Sequence, residues 1–314
     1  MVESYIYASG NITADRRYDY ANALFQEGAF TEAADLHAQV LELVPDWAAG
    51  WFAYAEALAR CGEAVRAGAA FKRALSLAPS DPFGAGLHLM RLGQASAENN
   101  DDTHNAYIAS LFDQYAARFE THLVDALHYR GPEIITAGLA VLAPQPRVFS
   151  HFIDLGCGTG LMAKALQNRF ERASGVDLSP LMIKKAQSCD LYTHLEAGDL
   201  LTYLQRQKPD SADLILAADV FVYIGALDAI FAQVRRVLCG VGLFGFSVQL
   251  LPGAEPENAE SENYALGEDL RFAHSAAYLR RLAAKHNFEI QSLQIISSRQ
   301  DRGRDVPGLV MFAM

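Results

Sequence analysis

Residues 152–160 read Phe-Ile-Asp-Leu-Gly-Cys-Gly-Thr-Gly, an apolar stretch that runs directly into a loop with three alternate glycines. Glycine tolerates positive φ angles and lets the backbone approach a ligand closely, and residues 161–170 have the pattern of a following helix. In a dinucleotide-binding fold the spacing would be G-x-G-x-x-G. Here position 161 is leucine, so the third glycine comes one residue early. The loop therefore predicts a bound cofactor other than a nicotinamide dinucleotide.

Acidic residues end the next three predicted strands. Asp177 closes a short apolar-leaning strand 21 residues after Gly156, where a carboxylate can hydrogen-bond a ribose diol. Asp199 ends a third strand, and Asp219 follows a strand of the buried type. Because the carboxyl ends of parallel strands lie at one edge of a sheet, we expect these carboxylates to share that edge.

As a set, these residues resemble the class I S-adenosylmethionine-dependent methyltransferases, from about residue 106 to the C-terminus. The resemblance implies S-adenosyl-L-methionine as the cofactor. It implies that the glycines border the methionine end of the cofactor, with Asp154 fixing the loop or the amino group. It also implies that Asp177 takes the ribose hydroxyls and Asp199 the adenine amino group. The full implied cofactor set is Asp154, Gly156, Gly158, Gly160, Asp177, Leu178, Asp199, Leu200, Asp219 and Tyr115.

The alternation of apolar strands and amphipathic helices predicts an α/β fold for this part of the chain. We expect a doubly wound, seven-stranded, mostly parallel sheet of the Rossmann-like methyltransferase type, with right-handed crossovers. The ligand is expected at the carboxyl edge of the strands. Two strands over 289–298 and 306–313, joined by a polar stretch, predict a closing antiparallel hairpin.

The first 95 residues contain an internal repeat. Five positions recur with a displacement of 34: Gly28, Ala33, Leu41, Leu43 and Pro45 return as Gly62, Ala67, Leu75, Leu77 and Pro79. This period resembles the tetratricopeptide repeat, a helix-turn-helix unit. An independent solenoid needs roughly three repeats, so two units and one further helix are expected to lean on the enzyme domain or on another chain.

Repeats ahead of this core resemble a bacterial group of repeat-containing predicted methyltransferases. In that group a segment similar to residues 110–122 is implied to form a helical lid, with Phe112, Tyr115 and Phe119 as candidate lid aromatics. Simple amphipathic packing of these aromatics is the alternative. The predicted domains are a repeat domain over 1–95, a helical linker and lid over 96–147, and a methyltransferase domain over 148–314.

The implied reaction is in-line displacement at a sulfonium methyl by an O, N or C nucleophile of a small-molecule acceptor. Asp219, Phe221 and Tyr223 are implied to face the methyl group or the acceptor. His274 and Tyr223 are the candidate general bases, with His122 and His128 as further possibilities at the lid. A helix-start position for His274 and a pocket-wall or core position for Tyr223 are the alternatives. A carboxylate or thiolate acceptor would need no base.

The second function class is an interaction module. There the repeats recruit a protein partner, which the C-terminal domain methylates or scaffolds, or they mediate self-association. All residues of the implied cofactor set are present, including Gly156, Gly158, Gly160, Asp177 and Asp199, and this favours an active enzyme over an interaction module. A net charge of -11 argues against a nucleic-acid substrate.

Composition bounds the remaining alternatives. No apolar stretch is long enough to predict a membrane span, and no signal peptide is apparent, so we expect a cytoplasmic protein. Neither the four cysteines nor the lid histidines have metal-ligand spacing, and no metal site is expected. Residues 253–269 carry six acids and no base. They predict either a mobile acidic flap that admits neutral or cationic acceptors, or a solvated loop.

Overall fold

A computed structural model describes residues 8–95, 101–116, 129–143, 147–251, 263–301 and 304–314. The lid candidates Phe119, His122 and His128 lie outside these residues, as does most of the acidic stretch 253–269. The chain forms two compact units, Met1–Tyr107 and Ile108–Met314.

Every secondary-structure element described in the first unit is a helix. They are α1 (Ile12–Gln26), α2 (Phe30–Leu43), α3 (Ala48–Arg60), α4 (Ala64–Leu77), α5 (Ala85–Arg91) and the start of α6 (Asp101–Tyr115). The bounds of α2 and α4 differ by 34 residues at both ends, as the internal repeat predicts. An all-helical N-terminal region is thus observed, whereas its assignment to the tetratricopeptide repeats stays a prediction.

Small and aromatic residues share the core of this helical unit. Ala33, Ala55 and Ala67 are fully buried, and such small side chains let neighbouring helices approach closely. The fully buried ring of Phe71 packs edge-on against Phe52, with 5.5 Å between ring centres. The predicted periodicity therefore places its recurring small residues in the helix contacts.

The second unit is an α/β layer structure. Its strands are β1 (Phe152–Leu155), β2 (Ala173–Asp177), β3 (His194–Ala197), β4 (Ala212–Ala217), β5 (Leu238–Leu250), β6 (Tyr264–Leu266), β7 (Phe272–His274), β8 (Ile290–Ile295), β9 (Arg299–Asp301), β10 (Arg304–Val306) and β11 (Gly308–Ala313). Its further helices are α7 (Gly131–Leu142), α8 (Leu161–Ala165), α9 (Pro180–Gln187), α10 (Leu200–Arg206), α11 (Asp228–Val237) and α12 (Ala276–Lys285).

The main sheet has the order β3-β2-β1-β4-β5-β11-β8. The first five strands pair in parallel, and β11 runs antiparallel to both β5 and β8, so the mostly parallel sheet and its closing hairpin are as predicted. The sheet has nine described strands instead of seven, because β7 pairs with the end of β5 and β6 pairs with β7. The polar stretch between the last two long strands forms a separate ribbon from β9 and β10.

Both faces of the central strands are buried, as the apolar runs in the sequence predict. Ile215 and Ala217 of β4 lie in a core cluster with residues of α10, α11 and α12. Leu214 and Leu216 point to the other face, into a cluster with residues of α7 and α8. The sheet is therefore the middle of three layers, which leaves its carboxyl edge as the place where ligands can reach the strand ends.

One predicted helix is shorter than expected. The pattern over 161–170 predicts ten helical residues, but α8 ends at Ala165. The chain leaves the helical path soon afterwards at Asn168, which has a φ of +70°. Across the described ranges, no helix combines the length and apolar character needed to cross a membrane.

Candidate cofactor and acceptor site

The glycine loop after β1 has a backbone that only glycine adopts easily. Gly156, Gly158 and Gly160 have φ angles of +66°, +52° and +87°. A Cβ atom on Gly156 would lie 2.2 Å from Cγ2 of Val220, and one on Gly160 would lie 3.2 Å from Cε2 of Tyr192. Sterics and backbone conformation together therefore require glycine in this loop.

Asp154 lies in β1 directly before this loop. Its side chain is buried, and the hydroxyl of Tyr192 donates a hydrogen bond of 2.6 Å to its Oδ2. Burial raises the pKa of Asp154 to about 7, although the Tyr192 hydrogen bond favours the charged form. The carboxyl group is thus poised to ionise when a cation comes beside it.

Asp177 ties the glycine loop to the next helix. Its Oδ2 accepts from the backbone N–H of Gly158 and its Oδ1 from that of Ser179, both at 2.9 Å. Burial raises the pKa of this carboxyl, and the two backbone donors act in the opposite direction. Each oxygen keeps a second lone pair, so the group can still accept from two ligand hydroxyls.

Asp199 lies at the same edge, after β3. It is the N-cap of α10, and its Oδ2 accepts from the backbone N–H of Thr202 at 2.7 Å. The side chain of Leu200 packs into the core, so its backbone is the part that can face a ligand. Leu178 is half-buried beside Asp177. The three predicted acids of β1, β2 and β3 thus lie at neighbouring strand ends.

Part of the predicted lid segment is α6, and it contacts this edge through a residue that the sequence interpretation missed. Asp113 accepts hydrogen bonds from the hydroxyl of Ser179 and from the backbone N–H of Leu181 at 3.2 Å, at the start of α9. Tyr115 is 44% exposed. The position of Asp113 between the candidate lid aromatics Phe112 and Tyr115 was the available signal.

Asp219 follows β4 in a left-handed conformation with φ of +55°. Its Oδ1 accepts from the hydroxyl of Ser247 at 2.6 Å, and its Oδ2 from the hydroxyl of Ser298 at 3.0 Å. These serines come from β5 and from the segment after β8. The carboxylate therefore joins three chain segments at the carboxyl edge.

Tyr223 ends a short 3-10 turn after Asp219. The ring of Phe112 meets its ring edge-on with 5.4 Å between centres, and the guanidinium of Arg271 lies 5.5 Å from the ring centre. Burial raises the pKa of Tyr223, so the phenol keeps its proton at neutral pH. Tyr129 is a further tyrosine whose pKa is raised by burial and by Asp219, and no sequence signal pointed to it.

The structure does not favour His274 as a general base. Its side chain is fully buried, its Nε2 lies 3.0 Å from the carbonyl oxygen of Gly225, and its ring stacks on Tyr278. Burial lowers the pKa of His274 to about 4. The residue is in the last position of β7, where the side chain points into the core. A proton could therefore reach this ring only after a rearrangement.

Among the described residues, no three His, Cys, Asp or Glu side chains form a group that could hold a metal ion.

Part of the chain matches a known domain family. The sequence model of the family described as "Methyltransferase domain" matches residues 152–242, which include the glycine loop and all four acids. The chain carries a class I S-adenosylmethionine-dependent methyltransferase domain. S-adenosyl-L-methionine is the cofactor of that domain.

Two curated relatives match parts of the chain. Methyltransferase-like protein 27 from Homo sapiens is 32% identical over 118 residues, which are 37% of this chain and 45% of that protein. Malonyl-[acyl-carrier protein] O-methyltransferase from Serratia marcescens is 26% identical over 170 residues, 54% of this chain and 62% of that protein. The chain thus spans about half the length of the curated relatives it matches.

A solved structure agrees with the fold. It is an S-adenosylmethionine-dependent methyltransferase from Leishmania major, with a TM-score of 0.51 and 15% identity over 70% of this chain and 86% of that chain.

Proposed function

We propose that the protein is an S-adenosylmethionine-dependent methyltransferase that transfers a methyl group to an O, N or C nucleophile of a small-molecule acceptor. The observation that carries the proposal is the glycine loop. Its three glycines have left-handed φ angles; Asp177 accepts from the backbone N–H of Gly158, Val220 lies close to Gly156, and Tyr192 lies close to Gly160. A loop with glycine at three alternate positions and carboxylates on both sides fits a cofactor with an ammonium group and a ribose.

The cofactor would lie along the carboxyl ends of β1, β2 and β3. The three glycines would border its methionine end, with Asp154 near the ammonium group. Asp177 would accept from the ribose hydroxyls and Asp199 from the adenine amino group, flanked by Leu178, Leu200 and Tyr115. When bound, the cofactor supplies a methyl group on a sulfonium, which is a good leaving group.

The residues of this chain would then contribute mainly alignment. Holding an acceptor in line with the methyl group can lower the barrier by about 7–11 kcal/mol. The loop after β4, with Asp219 and Tyr223, lies next to the glycine loop through the contact of Val220 with Gly156. We therefore assign the acceptor to this end of the sheet.

We also propose that residues 96–147 form a linker and lid between a repeat domain over 1–95 and a methyltransferase domain over 148–314. The hydrogen bonds of Asp113 to the start of α9 support this role, because they hold α6 against an element that borders the cofactor loop.

Calorimetry and label transfer test the proposed function together. The intact chain should bind S-adenosylmethionine, and incubation with methyl-labelled cofactor and a cell extract should label the fraction of small molecules. Asp177→Ala, which loses the hydrogen bond to the glycine loop, serves as the control with weakened cofactor binding. Absence of cofactor binding would contradict the proposal as a whole, and label found only in macromolecules would contradict the small-molecule acceptor.

A further inference from the structure

We propose that the methyl acceptor carries a carboxylate, that Arg271 and Arg299 hold it beside Tyr223, and that this carboxylate is the group methylated. The inference rests on the proposed methyl transfer and names its substrate class.

The two arginines converge from separate elements on the carboxyl end of β5. Arg299 begins β9, and its Nη2 lies 2.9 Å from Oε1 of Gln249 near the end of β5. Arg271 directly precedes β7, which pairs with β5 at Gln249. The guanidinium of Arg271 lies over the ring of Tyr223. Both cations therefore stand at the strand edge to which we assign the acceptor.

Among the described residues, the positive charge of this pair is only partly compensated. Asp269 lies 3.5 Å from Arg299, and this carboxylate is 38% exposed whereas the arginine side chain is 11% exposed. Within the described part of the chain, Arg271 has no carboxylate within ion-pair distance. The carboxylate of Asp219 is already bound by two serine hydroxyls.

Mutual repulsion adds to the cost of this arrangement. Burial lowers the pKa of Arg299 and the charge of Arg271 lowers it further, while Asp219, Asp269 and Tyr223 act in the opposite direction. Two guanidinium groups that repel each other are stabilised by an oxyanion, which each can bind through two parallel hydrogen bonds. An anionic acceptor fits this edge better than a neutral or cationic one.

Among the described residues, neither His274 nor Tyr223 is suited to take a proton, and this favours a carboxylate among the possible anions. The side chain of His274 is fully buried in the core, and the phenol of Tyr223 keeps its proton at neutral pH. A carboxylate is already ionised above about pH 5 and needs no base. One of its oxygens forms the new O–C bond to the methyl carbon while the C–S bond breaks. The electron pair of that bond stays on sulfur, and no proton moves.

The product also explains how the acceptor end could release its ligand. A methyl ester is neutral, so it loses the charge-assisted hydrogen bonds that held the acid. The acidic stretch 253–269 led to the opposite expectation, a neutral or cationic acceptor. In the described residues, Arg271, Arg299 and Asp269 of that stretch all act on Tyr223, and the two arginines supply the larger effects.

The chemical stability of the labelled product tests the inference. The intact protein is incubated with methyl-labelled S-adenosylmethionine and a metabolite extract, and the product is treated with mild alkali. A methyl ester should release its label as volatile methanol. Label that stays bound would overturn the carboxylate acceptor and leave the methyltransferase standing. No label transfer to any component, although the cofactor binds, would count against both proposals.

Arginine variants test the binding role, after the acid released by the alkali is purified. Arg271→Met and Arg299→Met should weaken binding of that acid about tenfold or more, the size of a lost charge-assisted hydrogen bond, in calorimetry with S-adenosylhomocysteine present. Their affinity for the cofactor should stay within about twofold, because neither residue borders the glycine loop. Arg271→Lys should recover part of the lost affinity for the acid, because lysine keeps the positive charge but cannot form the two parallel hydrogen bonds of a guanidinium.

Arg235→Met is the matched control. Arg235 also lies over an aromatic ring, 5.3 Å from the centre of Phe288, but near the end of α11, at the opposite edge of the sheet. Equal binding of the acid by the Arg235 and Arg271 variants would overturn the inference.

Discussion

The two ends of the proposed site are built in different ways. The cofactor end is local, because Asp154, the glycine loop and Asp177 lie within 24 residues of the chain. The acceptor end gathers Asp219, Ser247, Arg271 and Ser298 from separate segments. At the first end a rare backbone conformation restricts the residue type, whereas at the second ordinary side chains become important only where they meet. Substitutions can test how sharp this contrast is.

The largest expected effect concerns Asp154 and pH. In the unfolded chain this carboxyl titrates near 3.8, and burial raises its folded pKa to about 7. Its contribution to stability is therefore fully present below about pH 4 and is lost as pH rises through about 7. Unfolding of the cofactor-free protein should show that Asp154→Asn gains stability relative to the native chain between pH 4 and 8, on the order of 4 kcal/mol.

Asp228→Asn is the control of opposite sign. Hydrogen bonds from Lys285 and His286 lower the pKa of Asp228, so its contribution is present above its unfolded pKa and is lost as pH falls. The group is exposed, and its effect should be small. Parallel stability curves for the Asp154 variant and the native chain would show that this end of the site is less buried than the structure indicates.

Gly156→Ala should have the next largest effect. Its left-handed φ costs about 1–2 kcal/mol for alanine, and the overlap with Val220 adds about 1–3 kcal/mol. Denaturant unfolding would measure the sum. A second substitution, Val220→Ala, should recover only the part due to overlap. Gly240→Ala is the control, because a Cβ there meets no atom within 4 Å. Equal stability of the two alanine variants would contradict the steric argument.

Asp177→Ala should weaken S-adenosylmethionine binding by more than about 1.5 kcal/mol, the size of a charge-assisted hydrogen bond. Asp213→Ala is a matched control at the opposite edge of the sheet. Asp213 also accepts from two backbone N–H groups, those of Ser150 and His151, each at 2.9 Å. Both variants should lose similar stability, and calorimetry should show lost cofactor affinity in the first alone. Unchanged affinity of Asp177→Ala would remove this residue from the ribose site.

The smallest expected effect lies at the contact of α6 with α9. A double-mutant cycle with Asp113→Ala and Ser179→Ala should give a coupling energy of about 1 kcal/mol in unfolding. Ser179 also caps α9 through the backbone N–H of Met182, so each single variant alone would overstate the contact. If the two substitutions had additive effects on the free energy of unfolding, Asp113 would not stabilise the contact between α6 and α9. The proposed lid would then lack the contact on which it is based.

Predictions from the sequence were most accurate where the backbone conformation requires a particular residue type or fixes where a side chain lies. The strand-glycine loop-helix pattern and the acids at strand ends predicted the sheet edge, because only glycine fits those φ angles and because parallel strands end together. It failed for β6, β7, β9 and β10, which are too short to have a periodic pattern. It also missed Tyr192, since nothing in a loop sequence indicates which residue its side chain will contact.

At the acceptor end, too, the sequence could not predict which residues the candidate side chains contact. Tyr223 was singled out by its place after β4, and the structure puts Phe112 and Arg271 against its ring. His274 was a candidate base because histidine titrates near neutral pH. Its place in β7 buries the ring completely, and strand pairing at the end of β5, which no local pattern predicts, is the reason.

By itself, the sequence determined the α/β architecture, the helical N-terminal region and the cofactor loop, because periodicity and glycine geometry are local properties of the chain. Tertiary structure alone decided which charged side chains stand at the acceptor end. The pairing of β5 with β7 and the turn into β9 bring Arg271 and Arg299 to one strand edge from positions 28 residues apart. Electrostatic complementarity depends on distances in space, and those are set only when the strands have assembled.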